Sequence, residues 1–177
     1  DAVVDGGECG VGVESTVVSL IGERPRLLRP GGITHEQLTA LLGQVDIDRA
    51  VTQKISDTER VSAPGMKYRH YAPRCPVKAV CGDGAKSAEY IRENAGPDDA
   101  VICYRGFSGA FGKLPTFPYG DEGDMKALAH GLFAALRAAD AANTKRIFIQ
   151  CPSDAGIGLA VANRIKKAAG FDIIYLK

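Results

Sequence analysis

Apolar and polar positions follow two regimes along this chain, and the change between them divides it. From Pro76 onward, short apolar runs alternate regularly with helical stripes. VKAVCG at 77–82 reads as a strand, AKSAEYIRENAG as a helix closed by Gly96 and Pro97, and AVICY at 100–104 as a second strand. A long helix is predicted over MKALAHGLFAALRAADAAN, with Asp124 as N-cap and Met125, Leu128, Leu132, Phe133 and Leu136 on one stripe. KRIFIQC then reads as a strand, GIGLAVANRIKKAAG as a helix and FDIIYLK as a last strand. Strands alternating with helices predict right-handed crossovers and a mostly parallel sheet covered on both faces, a Rossmann-like α/β domain over 77–177.

The first third is patterned differently. VGVESTVVSLIG is rich in β-branched residues and reads as a strand ending at Gly22, and PRLLRPGG carries a second short strand into a turn. A helix follows, with Thr34 as N-cap, Gln37 as its capping-box partner, Ile33 and Leu38 in staple positions, and Gly43 as the stop. Its apolar face is Leu38, Leu41 and Leu42. Two strands and a short helix cannot enclose a core, so residues 1–45 read as the end of a larger α/β domain. The chain starts at Asp1 and reaches strand pattern almost at once, which gives the expectation of a fragment. Residues 46–76 have weak periodicity, many charges and three prolines, and read as a long connector. The aromatic content of APGMKYRHYAP at 63–73 predicts a segment that docks rather than a disordered one.

Composition narrows the function classes without choosing one. The 177 residues carry 22 Lys and Arg against 21 Asp and Glu, so strong electrostatic steering of nucleic acid is not implied. Five cysteines without CxxC spacing argue against a disulfide framework and against a zinc site, and fit reduced thiols in the cytoplasm. No apolar run reaches the roughly 20 residues of a membrane span. Gly82-Asp83-Gly84 and Gly156-Ile157-Gly158 open helices and are candidate phosphate sites, but neither completes a dinucleotide or P-loop fingerprint. The loop 105–123, glycine-rich with four aromatic residues, reads as a lid, an interaction surface or a packed loop. Cys103 reads as a core thiol and His130 as a surface histidine. No nucleophile–base arrangement stands out, so no catalytic residue is assigned. Ser15 and Thr16 offer hydroxyls in a strand run, and Arg29, held extended by Pro30, offers a planar fork suited to phosphate or carboxylate. Each is equally an ordinary surface residue.

GVESTVVSL, LLRPGGITHEQL, APGMKYRHYAP, FAALRAAD and GIGLAVANRIKKAA, in this order and at these separations, resemble the threonylcarbamoyl-AMP synthase family in its long, two-domain form. The resemblance covers essentially the whole chain and implies a partial YrdC-like segment at 1–45, a linker at 46–76 and a Rossmann-like accessory domain at 77–177. The part of the catalytic domain that carries the family's Lys-x-Arg motif has no counterpart here. The resemblance further implies condensation of L-threonine, bicarbonate and ATP, with Mg²⁺, to threonylcarbamoyl-adenylate and pyrophosphate, for threonylcarbamoyladenosine in tRNA. Such a reaction proceeds by electrostatic stabilisation without a covalent enzyme intermediate, which accords with the missing nucleophile. By the same resemblance Ser15 contacts the adenylate, Arg29 its phosphate or carboxylate, and His70 with Tyr71 closes over the threonyl end. Lys67, Tyr68 and Arg69 are weaker candidates for that closure, and Glu14 and Thr16 shape the pocket. Implied partners are tRNA or the tRNA-threonylcarbamoyl transferase complex. The alternative is a non-catalytic nucleotide- or RNA-binding, or regulatory, module.

Overall fold

The structure, a computed structural model, describes residues 2–7, 10–56 and 72–176. Its larger part is a five-stranded, fully parallel sheet in the order β6-β5-β7-β4-β8. The strands are β4 (Val77–Cys81), β5 (Asp99–Tyr104), β6 (Thr116–Gly120), β7 (Arg146–Cys151) and β8 (Ile173–Tyr175). Between them run α3 (Gly84–Asn94), α4 (Met125–Ala141) and α5 (Gly158–Ala168). The period of two along each strand sorts side chains between the faces. Ala79, Ile102 and Ile149 face α4 and α5, with Leu128, Leu132, Val161 and Ile165 in the same cluster. Val80, Val101 and Phe148 face α3, with Ala88 and Ile91. This is the Rossmann-like α/β arrangement expected from the alternating pattern.

The loop expected at 105–123 contains more structure than its composition predicts. A 3₁₀ turn at Arg105–Phe107 leads to β6, which pairs with β5 as the sheet's edge strand. Proline at 118 hid this strand, yet an edge strand tolerates a residue without an N–H, and the register slips next to its partner Cys103. Phe111 and Tyr119 are buried, so much of this loop's aromatic content is packing.

The N-terminal unit holds a second sheet of order β1-β2-β3, with β1 (Val17–Ser19) antiparallel and β3 (Asp46–Ile47) parallel to β2 (Arg26–Arg29). β1 is much shorter than the run VGVESTVVSLIG. Residues 46–52, connector by composition, form β3 and α2 (Arg49–Thr52), because Val45, Ala50 and Val51 find cover and Asp48 caps the helix by accepting from Ala50 N at 2.9 Å. α1 (His35–Leu42) has the expected capping box, Thr34 Oγ1 accepting from Gln37 N and Gln37 Oε1 from Thr34 N. Its apolar face is not a core face: Leu41 is 82% exposed and no residue of α1 is buried. Among the described residues, nine of the ten exposed large apolar side chains precede residue 48, so this unit does not cover its own apolar surface.

α5 joins the two units. All eleven of its residues are buried, on a helix that includes Asn163, Arg164, Lys166 and Lys167. One side packs on the parallel sheet, while Leu159 enters a cluster with Leu27, Val45 and Val51 of the N-terminal unit. A helix buried all round must satisfy its polar side chains inside the protein, and Asn163 and Arg164 do so on Val51, Glu14 and Pro30 of the N-terminal unit.

Candidate functional site

The close approach of two N-terminal segments sets the geometry. A Cβ on Gly31 would strike backbone atoms of Glu14, Ser15 and Thr16, so only glycine lets the Arg29-Pro30-Gly31-Gly32 stretch lie against Glu14-Ser15-Thr16. Across this contact the Arg29 guanidinium donates from Nε to Ser15 O at 3.0 Å and from Nη2 to Ser15 Oγ at 3.1 Å. Ser15 is exposed and Arg29 half-buried, so the pair presents a hydroxyl and a cation side by side at the surface. Thr16 is engaged internally: its hydroxyl donates to Ile33 O at 2.7 Å and accepts from Ile33 N at 3.1 Å.

α5 holds this contact from behind. Arg164 Nε donates to Glu14 Oε2 at 2.7 Å and Nη1 to Pro30 O at 2.7 Å. One guanidinium thus grips the residue before Ser15 and the residue after Arg29. Asn163 positions it, Oδ1 accepting from Arg164 Nη1 at 3.2 Å and Nδ2 donating to Val51 O at 2.7 Å. Burial alone would raise the Glu14 carboxyl, but the charge and hydrogen bond of Arg164, with help from Arg29, hold it below the usual carboxylate range. Lys167 is pushed down to about 8, chiefly by burial and then by the charge of Arg164, with Arg29 adding to it against Glu14 and Asp48. Arg164 and Lys167 join Arg29 here against the carboxylates of Glu14 and Asp48, an excess of positive charge that favours an incoming anion.

The two glycine turns weighed as phosphate sites hold the protein's own carboxylates. At α3, Asp83 Oδ1 accepts from Ala85 N at 2.9 Å and Lys86 N at 3.1 Å, while Glu122 Oε1 accepts from Gly84 N at 2.8 Å. The Glu122 carboxylate fills the space a Cβ on Gly84 would need. Before α5, Gly156 N donates to Glu36 Oε1 at 3.1 Å, a tie from α1. Cys103 is buried and its thiol pushed up to about 11 by burial, as a core thiol should be, and His130 is exposed. No group of three His, Cys, Asp or Glu able to hold a metal occurs among the described residues, and none of the helices they form is long and apolar enough to cross a membrane.

Of the residues expected at the site, Ser15 and Arg29 are brought into direct contact, with Thr16 beside them. Lys67, Tyr68, Arg69, His70 and Tyr71 lie outside the described residues. Sequence reasoning missed Arg164, Asn163 and Lys167. Their signal was faint, since polar residues late in an amphipathic helix ordinarily face solvent, and only the burial of the whole helix turns them inward.

Residues 33–170 match the family model described as threonylcarbamoyl-AMP synthase, C-terminal domain. Curated relatives named threonylcarbamoyl-AMP synthase include those of Bacillus subtilis strain 168 (37% identical, covering 97% of this chain and 49% of the relative) and Pyrococcus abyssi (39% identical, 98% and 51%). The chain therefore spans about half the length of these relatives. The crystal structure of P. abyssi Sua5 complexed with L-threonine superposes with a TM-score of 0.84 at 39% identity, over 98% of this chain and 50% of that one. A P. abyssi Sua5 variant with a histidine and the adjacent tyrosine changed to alanine also gives 0.84, at 38% identity over 97% and 49%.

Proposed function

The chain belongs to the threonylcarbamoyl-AMP synthase family, and from that premise we propose that it supplies one wall of an adenylate-forming site together with the segment that closes it. The whole enzyme would join L-threonine, bicarbonate and ATP into threonylcarbamoyl-adenylate and pyrophosphate, the activated donor for threonylcarbamoyladenosine in tRNA. The observation that carries the reading is the Ser15–Arg29 pair, exposed at its hydroxyl and fixed from α5 by Arg164. Arg29 would present its fork to the phosphate or carboxylate of the adenylate, and Ser15 would add a hydroxyl donor beside it. Arg164 and Lys167 would strengthen the positive field there without touching the ligand.

The closing segment rests on a different support. His70-Tyr71 is the only histidine followed by tyrosine in this sequence, and the P. abyssi Sua5 variant carries its changes at just such a pair. His70 and Tyr71 would cover the threonyl end, with Lys67, Tyr68 and Arg69 as further contacts. Mg²⁺ would arrive on the ATP phosphates, since the described donor set does not form a metal site of its own. The exposed apolar side chains of the N-terminal unit, Leu20, Ile21 and Leu41 among them, fit a surface that the rest of a catalytic domain covers. The non-catalytic nucleotide-binding alternative loses support because Asp83 and Glu122 occupy the start of α3 and Glu36 takes the Gly156 N–H in the turn before α5.

Pyrophosphate release tests the proposal. Residues 1–177 alone, given ATP, Mg²⁺, L-threonine and bicarbonate, should release none. The same residues joined in frame behind the N-terminal half of the B. subtilis relative should turn over. His70→Ala in the joined protein should raise the threonine KM several-fold. Turnover by residues 1–177 alone, or a folded but inert joined protein, would overturn the reading.

A further inference from the structure

The parallel sheet carries a feature that the adenylate reading does not use. β4 and β7 are neighbours, yet their outgoing crossovers diverge: β4 leads through α3 to β5, across β7, and β7 leads through α5 to β8, across β4. The two helices lie on opposite faces, so the carboxyl ends of β4 and β7 flank a topological switch point, the place where open α/β sheets leave a crevice. At that point the last registered pair of the two strands is Cys81 with Cys151. Residues in register on adjacent parallel strands present their side chains to the same face, and both thiols belong to the cluster facing α4 and α5. Adjacent strands stand about 4.8 Å apart, inside the Cα window of roughly 4.4–6.8 Å that a disulfide spans.

Beside this pair opens a pocket of about 250 Å³, lined by Cys81, Gly82, Ser153, Asp154, Lys166 and Tyr175 among others. Cys81 forms part of its wall, whereas Cys151 is 1% exposed behind it. The Lys166 ammonium, 2.9 Å from Asp154 and over the Tyr175 ring, supplies a cation near the thiols. The environment separates the two sulfurs. Hydrogen bonding from Cys151 and the Lys166 charge hold the Cys81 thiol below its ordinary value against burial, while Cys151 is pushed up by its partner and by burial. Cys103, buried on the opposite face, is raised by burial alone.

We propose that Cys81 and Cys151 form a redox-active thiol pair, oxidised reversibly by low-molecular-weight disulfides that enter through the pocket at the switch point. In the first step the Cys81 thiolate attacks one sulfur of a disulfide RSSR, forming Cys81–S–SR and releasing RS⁻. In the second, Cys151, having given up its proton, attacks the Cys81 sulfur and expels a second RS⁻. The balance is two protein thiols and RSSR converted to one protein disulfide and two RSH, and excess thiol reverses it. Cys81 attacks first because it has both the pocket and the greater thiolate character, and Cys151 resolves because it lies in register.

The test uses the native, unmodified chain. It is incubated with hydroxyethyl disulfide, quenched in acid, alkylated, and all five cysteines are mapped by mass spectrometry. The expected result is joint loss of Cys81 and Cys151 as a linked peptide pair, restored by excess thiol, with Cys103 still free. Cys151→Ser should trap Cys81 as a stable mixed disulfide, and Lys166→Gln should slow the first step several-fold near neutral pH. The proposal is overturned if both thiols of the native chain stay alkylatable at every disulfide concentration. A linkage formed only after denaturation, or a Cys81 mixed disulfide that persists beside free Cys151 in the unmodified chain, overturns it equally.

Discussion

At the scale of residues, Arg164 is the side chain that braces the Ser15–Arg29 contact from behind. It is 6% exposed and bonds Glu14 and Pro30 at once, so Arg164→Ala leaves a half-buried carboxylate and a carbonyl without their donor. Because Glu14 retains 29% exposure, the loss should be smaller than for a fully buried pair, about 2–3 kcal/mol by chemical denaturation. Arg164→Lys should rescue little, since one ammonium cannot span both acceptors. Glu14→Gln on top of Arg164→Ala should recover part of the loss. Acid acts on the same pair. The folded Glu14 pKa lies below the ordinary carboxyl value of 4.5, so its contribution is present above that value and disappears as pH falls through the folded pKa. Lys167 gives the opposite dependence. Its folded pKa of about 8 lies below 10.5, so the unfolded chain binds the extra proton in that window and stability rises with pH across it. Lys167→Met should therefore be more stable than the parent near neutral pH, by about 1–3 kcal/mol, with the gap closing near pH 10. A gap that stays constant would show that the Lys167 charge costs the fold nothing.

Among the elements, the Gly31 crossing and α5 fix the relation of β1 to β2. Gly31→Ala must push backbone apart at Glu14, Ser15 and Thr16, and should cost about 1–3 kcal/mol while displacing Ser15 from Arg29. The α1 cap is more local. Thr34→Ala should cost about 1 kcal/mol in thermal unfolding and leave the Ser15–Arg29 contact intact. Legibility in the sequence also divides by element. α1, α3, α4, α5 and four of the five parallel strands were readable because capping residues and apolar period are local signals. β6 was not, since Pro118 is acceptable only on an edge and the edge is a property of strand order. β3 and α2 were not, since Val45 and Val51 become core only once Leu159 arrives from α5.

For the whole molecule, sequence motifs pointed to Ser15 and Arg29, but the support behind them is a domain contact with no local signature. Arg164 lies 134 residues from Pro30 and 150 from Glu14. That separation is why a helix of the Rossmann-like part could hold Glu14 and Pro30 of the other unit together without showing it in the pattern. The contacts of the two glycine turns were hidden for the same reason, because Glu122 and Glu36 reach them from elsewhere in the fold. The arrangement gives the parallel-sheet domain a definite part in the proposed chemistry: α5 is the scaffold for the Ser15–Arg29 pair, and its loss should impair anion recognition as well as stability. The most direct measurement is equilibrium binding of threonylcarbamoyl-adenylate to the joined protein described above, comparing the parent with Arg29→Ala at matched folded fraction. Loss of a charged fork to the ligand predicts at least about tenfold weaker binding, roughly 1.4 kcal/mol or more. Binding unchanged by Arg29→Ala would contradict the assignment of the Ser15–Arg29 pair to the adenylate site.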